Sequence, residues 1–182
     1  MQRLLEQYRK TIIPAMQKQF AFKNVSAIPK IEKVVVNVGY GRAAIAKDTK
    51  LIEKIEADIA KITGQKPSVR KSKKSIAGFK VREGLPIGFA VTLRGTRMYD
   101  FIDRLVSIAL PRSRDFQGLS PTSFDEKGNF SIGIKESNMF PEVSYETLKD
   151  IFGLEITVVT NAGSREKGTA LLKAFGFPLR DK

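Results

Sequence analysis

The chain contains no cysteine, no histidine and no tryptophan. Without cysteine there is no disulfide framework. Without cysteine and histidine, zinc fingers, His/Cys metal sites, cysteine nucleophiles and Ser-His-Asp triads are excluded. An enzyme working near neutral pH would have to tune a carboxylate or a lysine as its proton shuttle. No stretch approaches the roughly 20 apolar residues that a membrane span requires. The opening MQRLLEQYRK is charged and polar, unlike a signal peptide, so the expectation is a cytosolic protein with no membrane partner. Together these absences favour binding over catalysis, and no cofactor is expected.

What the sequence does have is positive charge, unevenly placed. Its 182 residues include 32 Lys and Arg against 19 Asp and Glu, a formal net charge of +13. Residues 1–85 hold 19 against 7, a net of +12, and residues 86–182 hold 13 against 12, a net of +1. Within residues 66–82, KPSVRKSKKSIAGFKVR, stand Lys66, Arg70, Lys71, Lys73, Lys74, Lys80 and Arg82, with no acidic residue. A polyanion neutralises such a segment and releases its own counterions in doing so. A merely solvated basic loop is the bland alternative, but solubility needs net charge and no particular arrangement of it. Membrane-surface binding wants an amphipathic helix with bulky apolar residues, and Ser72, Ser75 and Gly78 interrupt any such face. Nucleic acid is the favoured partner.

Hydrophobic spacing organises the chain as one α+β domain, residues 1–182, carrying a flexible basic loop at 71–85. A helix is expected over 3–21 with a kink at Pro14. A strand comes next at 31–38, then a helix over 49–63 capped by Asp48 and stopped by Gly64. Short and long strands are expected near 66–70 and after Pro86, where Ile87, Phe89, Val91 and Leu93 alternate with smaller residues. The remaining elements are a helix at 96–110 ended by Pro111, a strand at 130–136, a short helix at 144–152, a strand at 154–160 and a helix at 165–175. The predicted fold is a mostly antiparallel mixed sheet with helices packed on one face and the other face open for RNA. That open face would carry Asn37, Ala90, Thr92, Arg94, Ser131, Gly133, Lys135 and Thr157. Small side chains there would admit a sugar-phosphate backbone, while Asn, Thr and Arg could bond phosphates and 2′-hydroxyls. An ordinary solvated face is the competing reading.

Gly39-Tyr40-Gly41-Arg42-Ala43-Ala44 matches a dinucleotide-binding G-x-G-x-x-A directly after a strand. The rest of that fingerprint is missing: no acidic-ended strand stands about 20 residues on, and Asp58 falls inside a helix. The two glycines read better as a tight exit from the strand. A small carboxylate- and Mg²⁺-dependent nuclease is a second class of function, and it would need clustered Asp and Glu near the basic surface. A non-specific RNA chaperone is a third; it predicts similar affinity for any RNA and a steep salt dependence.

With these segments in view, the sequence resembles the family of bacterial large-subunit ribosomal protein five. The stretches that carry the resemblance are PKIEKVVVNVGYG at 29–41, ITGQKP at 62–67, KSIAGFKVREGLPIGFAVTLRG at 74–95 and MYDFIDRL at 98–105. ALPRSRDFQGL at 109–119, SFDEKGNFSIGIKE at 123–136, MFPEV at 139–143 and KAFGFPL at 173–179 extend it along the chain. The resemblance implies a structural, non-catalytic constituent of the large ribosomal subunit that attaches 5S rRNA in the central protuberance. Its partners would be 5S rRNA, P-site tRNA, small-subunit ribosomal protein thirteen, other 5S-binding large-subunit proteins and large-subunit rRNA. Carried onto this sequence, it implies 5S rRNA contacts at Lys33, Asn37, Gln65, Lys66, Thr92 and Arg94. It implies tRNA contacts at Lys71, Lys73, Lys74, Ser75, Gly78, Phe79, Lys80 and Arg82. An intersubunit bridge would fall on Arg112, Arg114, Asp115, Phe116, Met139, Phe140 and Glu142.

Overall fold

A computed structural model describes residues 3–114, 116–143 and 151–180. Its five strands are β1 (Ile31–Gly39), β2 (Ser68–Lys71), β3 (Pro86–Leu93), β4 (Phe130–Ile134) and β5 (Leu154–Thr160). They form one antiparallel sheet in the order β2-β3-β1-β5-β4, so the fold is α+β. The strands show why the sheet forms. In β1, Val34, Val36 and Val38 are buried while Lys33, Val35 and Asn37 are half-buried, the period-2 pattern of a strand with one covered face. In β5 the same alternation buries Leu154, Ile156, Val158 and Thr160. The expected strand 130–136 stops at Ile134. Residues 144–150 of the helix expected over 144–152 lie outside those described, and Ile151 and Phe152 are not helical.

By internal contacts the chain falls into two compact units. The first comprises Met1–Val34, Leu93–Ile132 and Thr157–Lys182. It opens with α1 (Arg3–Gln7), a π-helical turn over Tyr8–Ile12 and α2 (Ile13–Phe20). Pro14 has no N–H, and its ring would strike the carbonyl four residues back in an α-helix. The π turn resolves this by widening the helix just before it, with the Ile13 N–H bonded to the Tyr8 carbonyl. The same device recurs at Pro111. There α5 (Gly95–Arg104) leads through a π turn, Leu105–Ala109, into α6 (Leu110–Arg112), with the Leu110 N–H bonded to the Leu105 carbonyl. Pro111 therefore does not end this helix, as its sequence position suggested. Leu4, Ile12, Met16, Phe101, Ile102 and Leu105 are buried, together with Leu171 and Leu172 of α7 (Arg165–Ala174).

The turn before β4 is closed by its own side chains. Asp125 accepts the Asn129 N–H through Oδ1 and the Asn129 Nδ2 through Oδ2, each at 2.7 Å. Gly128, at φ +85°, lies against Gly168 of α7, where a Cβ would stand 2.4 Å from the Gly128 carbonyl oxygen. Only glycine lets these two backbones approach so closely.

The second unit comprises Val35–Thr92 and Gly133–Ile156. After β1 comes α3 (Gly41–Ala46), a helix not anticipated from the two glycines, which packs on α4 (Thr49–Thr63). The caps of α4 are those expected. Asp48 accepts the Leu51 N–H at 3.1 Å, and Gly64 takes the left-handed position at φ +69°. Ile55, Ile59 and Ile62 form its buried stripe. Tyr40 and Phe89 pack with ring centroids 4.5 Å apart.

Candidate nucleic-acid interface

The basic segment lies in the second unit and is built as a hairpin. Ser68 of β2 pairs with Ala90 of β3, Val69 with Phe89 and Arg70 with Gly88, and the register shifts before Lys71 pairs with Pro86. Beyond that irregularity the chain continues as an excursion over residues 72–85, closed by backbone bonds. The Ser72 N–H donates to the Leu85 carbonyl at 2.8 Å, and the Gly84 N–H to the Ser72 carbonyl at 2.9 Å. Nearer the tip, Ile76 and Val81 exchange bonds of 2.9 and 3.2 Å and enclose a short 3-10 turn, Ala77–Phe79. Side chains reinforce the loop: the Ser72 hydroxyl donates to the Lys74 carbonyl at 2.7 Å, and Ser75 Oγ accepts the Glu83 N–H at 2.9 Å.

Every residue assigned from sequence to tRNA contact sits on this hairpin. Lys71, Lys73, Lys74, Ser75, Gly78, Phe79, Lys80 and Arg82 are all exposed. Among the described residues none of these five cations is held in an ion pair, so each is free to exchange a mobile counterion for a phosphate. Gly84 takes φ +81°, which favours glycine, whereas Gly78 does not lie in the left-handed region. Reading sequence alone passed over Val69 and Ile76, which stand exposed on the same hairpin. Their signal was present, as apolar residues interleaved with cations.

The residues assigned to 5S rRNA divide between the units. Asn37, Gln65, Lys66 and Thr92 belong to the second. Gln65 Nε2 donates to the Thr92 carbonyl at 3.2 Å, which brings those two positions together beside β3. Lys66 extends into solvent with its Nζ 3.4 Å from Oε1 of the half-buried Glu56, so the lysine end of the pair remains open to a phosphate. Lys33, half-buried on β1, and Arg94, exposed after β3, belong to the first unit. Ala90, read as part of an open face, is not open, and neither is Gly88 two residues before it on β3. Ala90 is 5% exposed, and Gly88 is buried with a Cβ position 2.9 Å from the Val38 carbonyl. Their size serves packing within the chain. Ser131 and Thr157 of the first unit are half-buried and bond to each other at 3.1 Å.

The residues assigned to the bridge are less alike. Arg112 and Arg114 are exposed, Phe116 is half-buried, and Asp115 lies outside the described residues. Met139 and Phe140 are 4% and 1% exposed in the second unit, so as core side chains they cannot present a surface to a partner. Glu142 is half-buried. The turn they occupy is fixed from within, by Ser137 Oγ accepting the Phe152 N–H at 3.2 Å. Among the described residues no three carboxylates gather into a group able to hold a metal ion.

Comparison with known proteins gives this geometry its setting. The family model described as ribosomal L5P family C-terminus matches residues 86–179, and that described as ribosomal protein L5 matches residues 24–82. The chain is 52% identical over 181 residues to large ribosomal subunit protein uL5 of Geotalea uraniireducens, covering 100% of both chains. It is 50% identical over 179 residues to uL5 of Synechocystis sp. and 52% identical over 179 residues to uL5 of Chloroflexus aggregans, covering 98% of each chain in both cases. The class is thus that of large-subunit ribosomal proteins, which are structural rather than enzymatic and reside in the cytoplasm. The chain belongs to the ribosomal protein L5 family.

Proposed function

We propose that within the large subunit this chain binds 5S rRNA and holds it in the central protuberance, while its basic hairpin grips the elbow of the P-site tRNA. Asn37, Gln65, Lys66 and Thr92 are the 5S contacts of the second unit, and Lys33 and Arg94 of the first add further cations. The hairpin contacts are Lys71, Lys73, Lys74, Ser75, Gly78, Phe79, Lys80 and Arg82. Exposed Arg112 and Arg114, with Phe116, are the bridge to small-subunit protein thirteen; Met139 and Phe140 only brace the turn before Glu142.

The observation that carries this reading is the hairpin itself, whose cations Lys71, Lys73, Lys74, Lys80 and Arg82 are exposed and, among the described residues, in no ion pair. Contacts of that kind read phosphates and not bases, which suits a surface that must accept every tRNA. Replacing Lys71, Lys73, Lys74 and Lys80 together by Ala is expected to weaken P-site tRNA binding while leaving 5S rRNA affinity within about threefold of wild type. Each lysine that reaches a phosphate lowers the salt slope by about one when removed. Filter binding of both RNAs over a range of salt checks this, and equal loss of both affinities would sink the separation of roles.

A further inference from the structure

We propose that the hairpin tip is a platform for one RNA nucleobase, with Phe79 supplying the stacking face and Gly78 the clearance beside it. This rests on the reading that the hairpin grips RNA, and adds to it a contact that salt does not screen. Phe79 is 70% exposed, with Ile76 at 47% and Val69 at 50% on the same hairpin. One exposed apolar side chain is ordinary, but three on one cationic hairpin are not a random scatter.

The ring is also held outward. The Phe79 N–H donates to the Ile76 carbonyl at 3.3 Å and the Lys80 N–H to the Ala77 carbonyl at 3.0 Å, so the turn is closed beneath it. Lys80 completes the turn at φ +52°, a conformation unfavourable for a residue with a side chain. A preformed tip loses little further entropy on binding. Gly78 adds an independent observation. Its φ does not demand glycine, and a Cβ there would meet nothing within 4 Å. Nothing among the described residues requires the missing side chain, whereas a flat partner lying on the tip would.

Charge selects that partner. Lys71, Lys73, Lys74, Lys80 and Arg82 belong to the same hairpin, so an apolar protein patch would have to desolvate cations to reach Phe79. An RNA loop offers a π face and phosphates on one molecule, and aromatic stacking on an unpaired base tolerates any base identity.

The test uses ribosomes whose only copy of this protein is wild type, Phe79→Ala, Phe79→Trp, Gly78→Ala or Lys80→Ala. Mass spectrometry of the purified subunits verifies incorporation. The probe is P-site tRNA carrying 2-aminopurine at each exposed elbow base in turn. Phe79→Ala is expected to speed tRNA dissociation about 5- to 100-fold, the loss of one base–aromatic stack, with the salt dependence unchanged. It should also restore 2-aminopurine fluorescence that wild type and Phe79→Trp quench, and Gly78→Ala should weaken binding with no loss of stability. Lys80→Ala should instead flatten the salt dependence. Phe79→Ala within twofold of wild type, with Lys80→Ala still altering the salt slope, overturns the platform and leaves the cationic grip. No effect of either variant overturns both.

Discussion

Gly168→Ala is a substitution that helix rules and this structure judge oppositely. In an exposed helix interior, Gly to Ala gains about 1 kcal/mol. Here the new Cβ would stand 2.4 Å from the Gly128 carbonyl oxygen, 2.6 Å from its Cα and 2.9 Å from its carbonyl carbon, all backbone atoms. Ordinary contact begins near 3.4 Å, so the backbones would have to part by about an ångström. That same carbonyl accepts the buried Thr160 hydroxyl at 2.9 Å, and Gly128 is tied back through its N–H to the Asp125 carbonyl. Overpacking costs about 1–3 kcal/mol and a loosened hydrogen bond about 1 kcal/mol more. The net expectation is a loss of about 2 kcal/mol, or about 4–8 °C in Tm for a chain of this length. Thermal and urea unfolding measure it, with Gly133→Ala as control because its Cβ meets nothing within 4 Å. A Gly168→Ala protein as stable as wild type would refute the close approach.

Stability should also depend on pH at two positions. Burial alone would raise the Asp125 carboxyl, but hydrogen bonds from the Asn129 side chain and from the Asn129, Lys127 and Gly128 amides hold it below its ordinary value. Its stabilisation is therefore present above the ordinary carboxylate range and lost as pH falls through the depressed folded value; in urea melts the wild-type advantage over Asp125→Ala should shrink only in that acid window. Tyr8 is pushed upward by burial and then by the neighbouring Tyr99, and its hydroxyl donates to the Pro29 carbonyl at 3.0 Å. That contribution is complete below the ordinary phenol value near 10 and lost as pH rises through the higher folded value, so Tyr8→Phe should flatten the alkaline stability curve; an unchanged curve counts against it.

The elements legible in the sequence are those whose ends carry chemical markers. Asp48 and Gly64 bracket α4 at its observed bounds, and the alternation of LEITVVT gives β5 as found. Where one residue serves two readings, sequence alone went astray. Pro111 stops an α-helix but not one that first widens through a π turn. Gly39 and Gly41 do form the tight strand exit expected of them, β1 ending at Gly39, but the short helix α3 that Gly41 opens was not legible. Small size at Gly88 and Ala90 fits an RNA-facing surface or a tight internal contact, and the structure uses it for the latter. Met139 and Phe140 fall between an expected strand and an expected helix, and such connections ordinarily lie at the surface, but both side chains are buried. The basic segment was fully legible as charge. Its shape was not, because the bonds that hold Phe79 outward are backbone bonds across the hairpin, which composition does not record.

The central proposal is that this chain binds 5S rRNA specifically, and competition binding tests it most directly. Purified protein is titrated with refolded 5S rRNA near 0.15 M salt while excess tRNA and duplex RNA compete. A folded surface holding Asn37, Gln65, Lys66 and Thr92 predicts binding that survives both competitors and falls only gradually with added salt. Binding abolished by either competitor, or by a modest rise in salt, would reduce the interaction to counterion release by the basic hairpin and contradict the account.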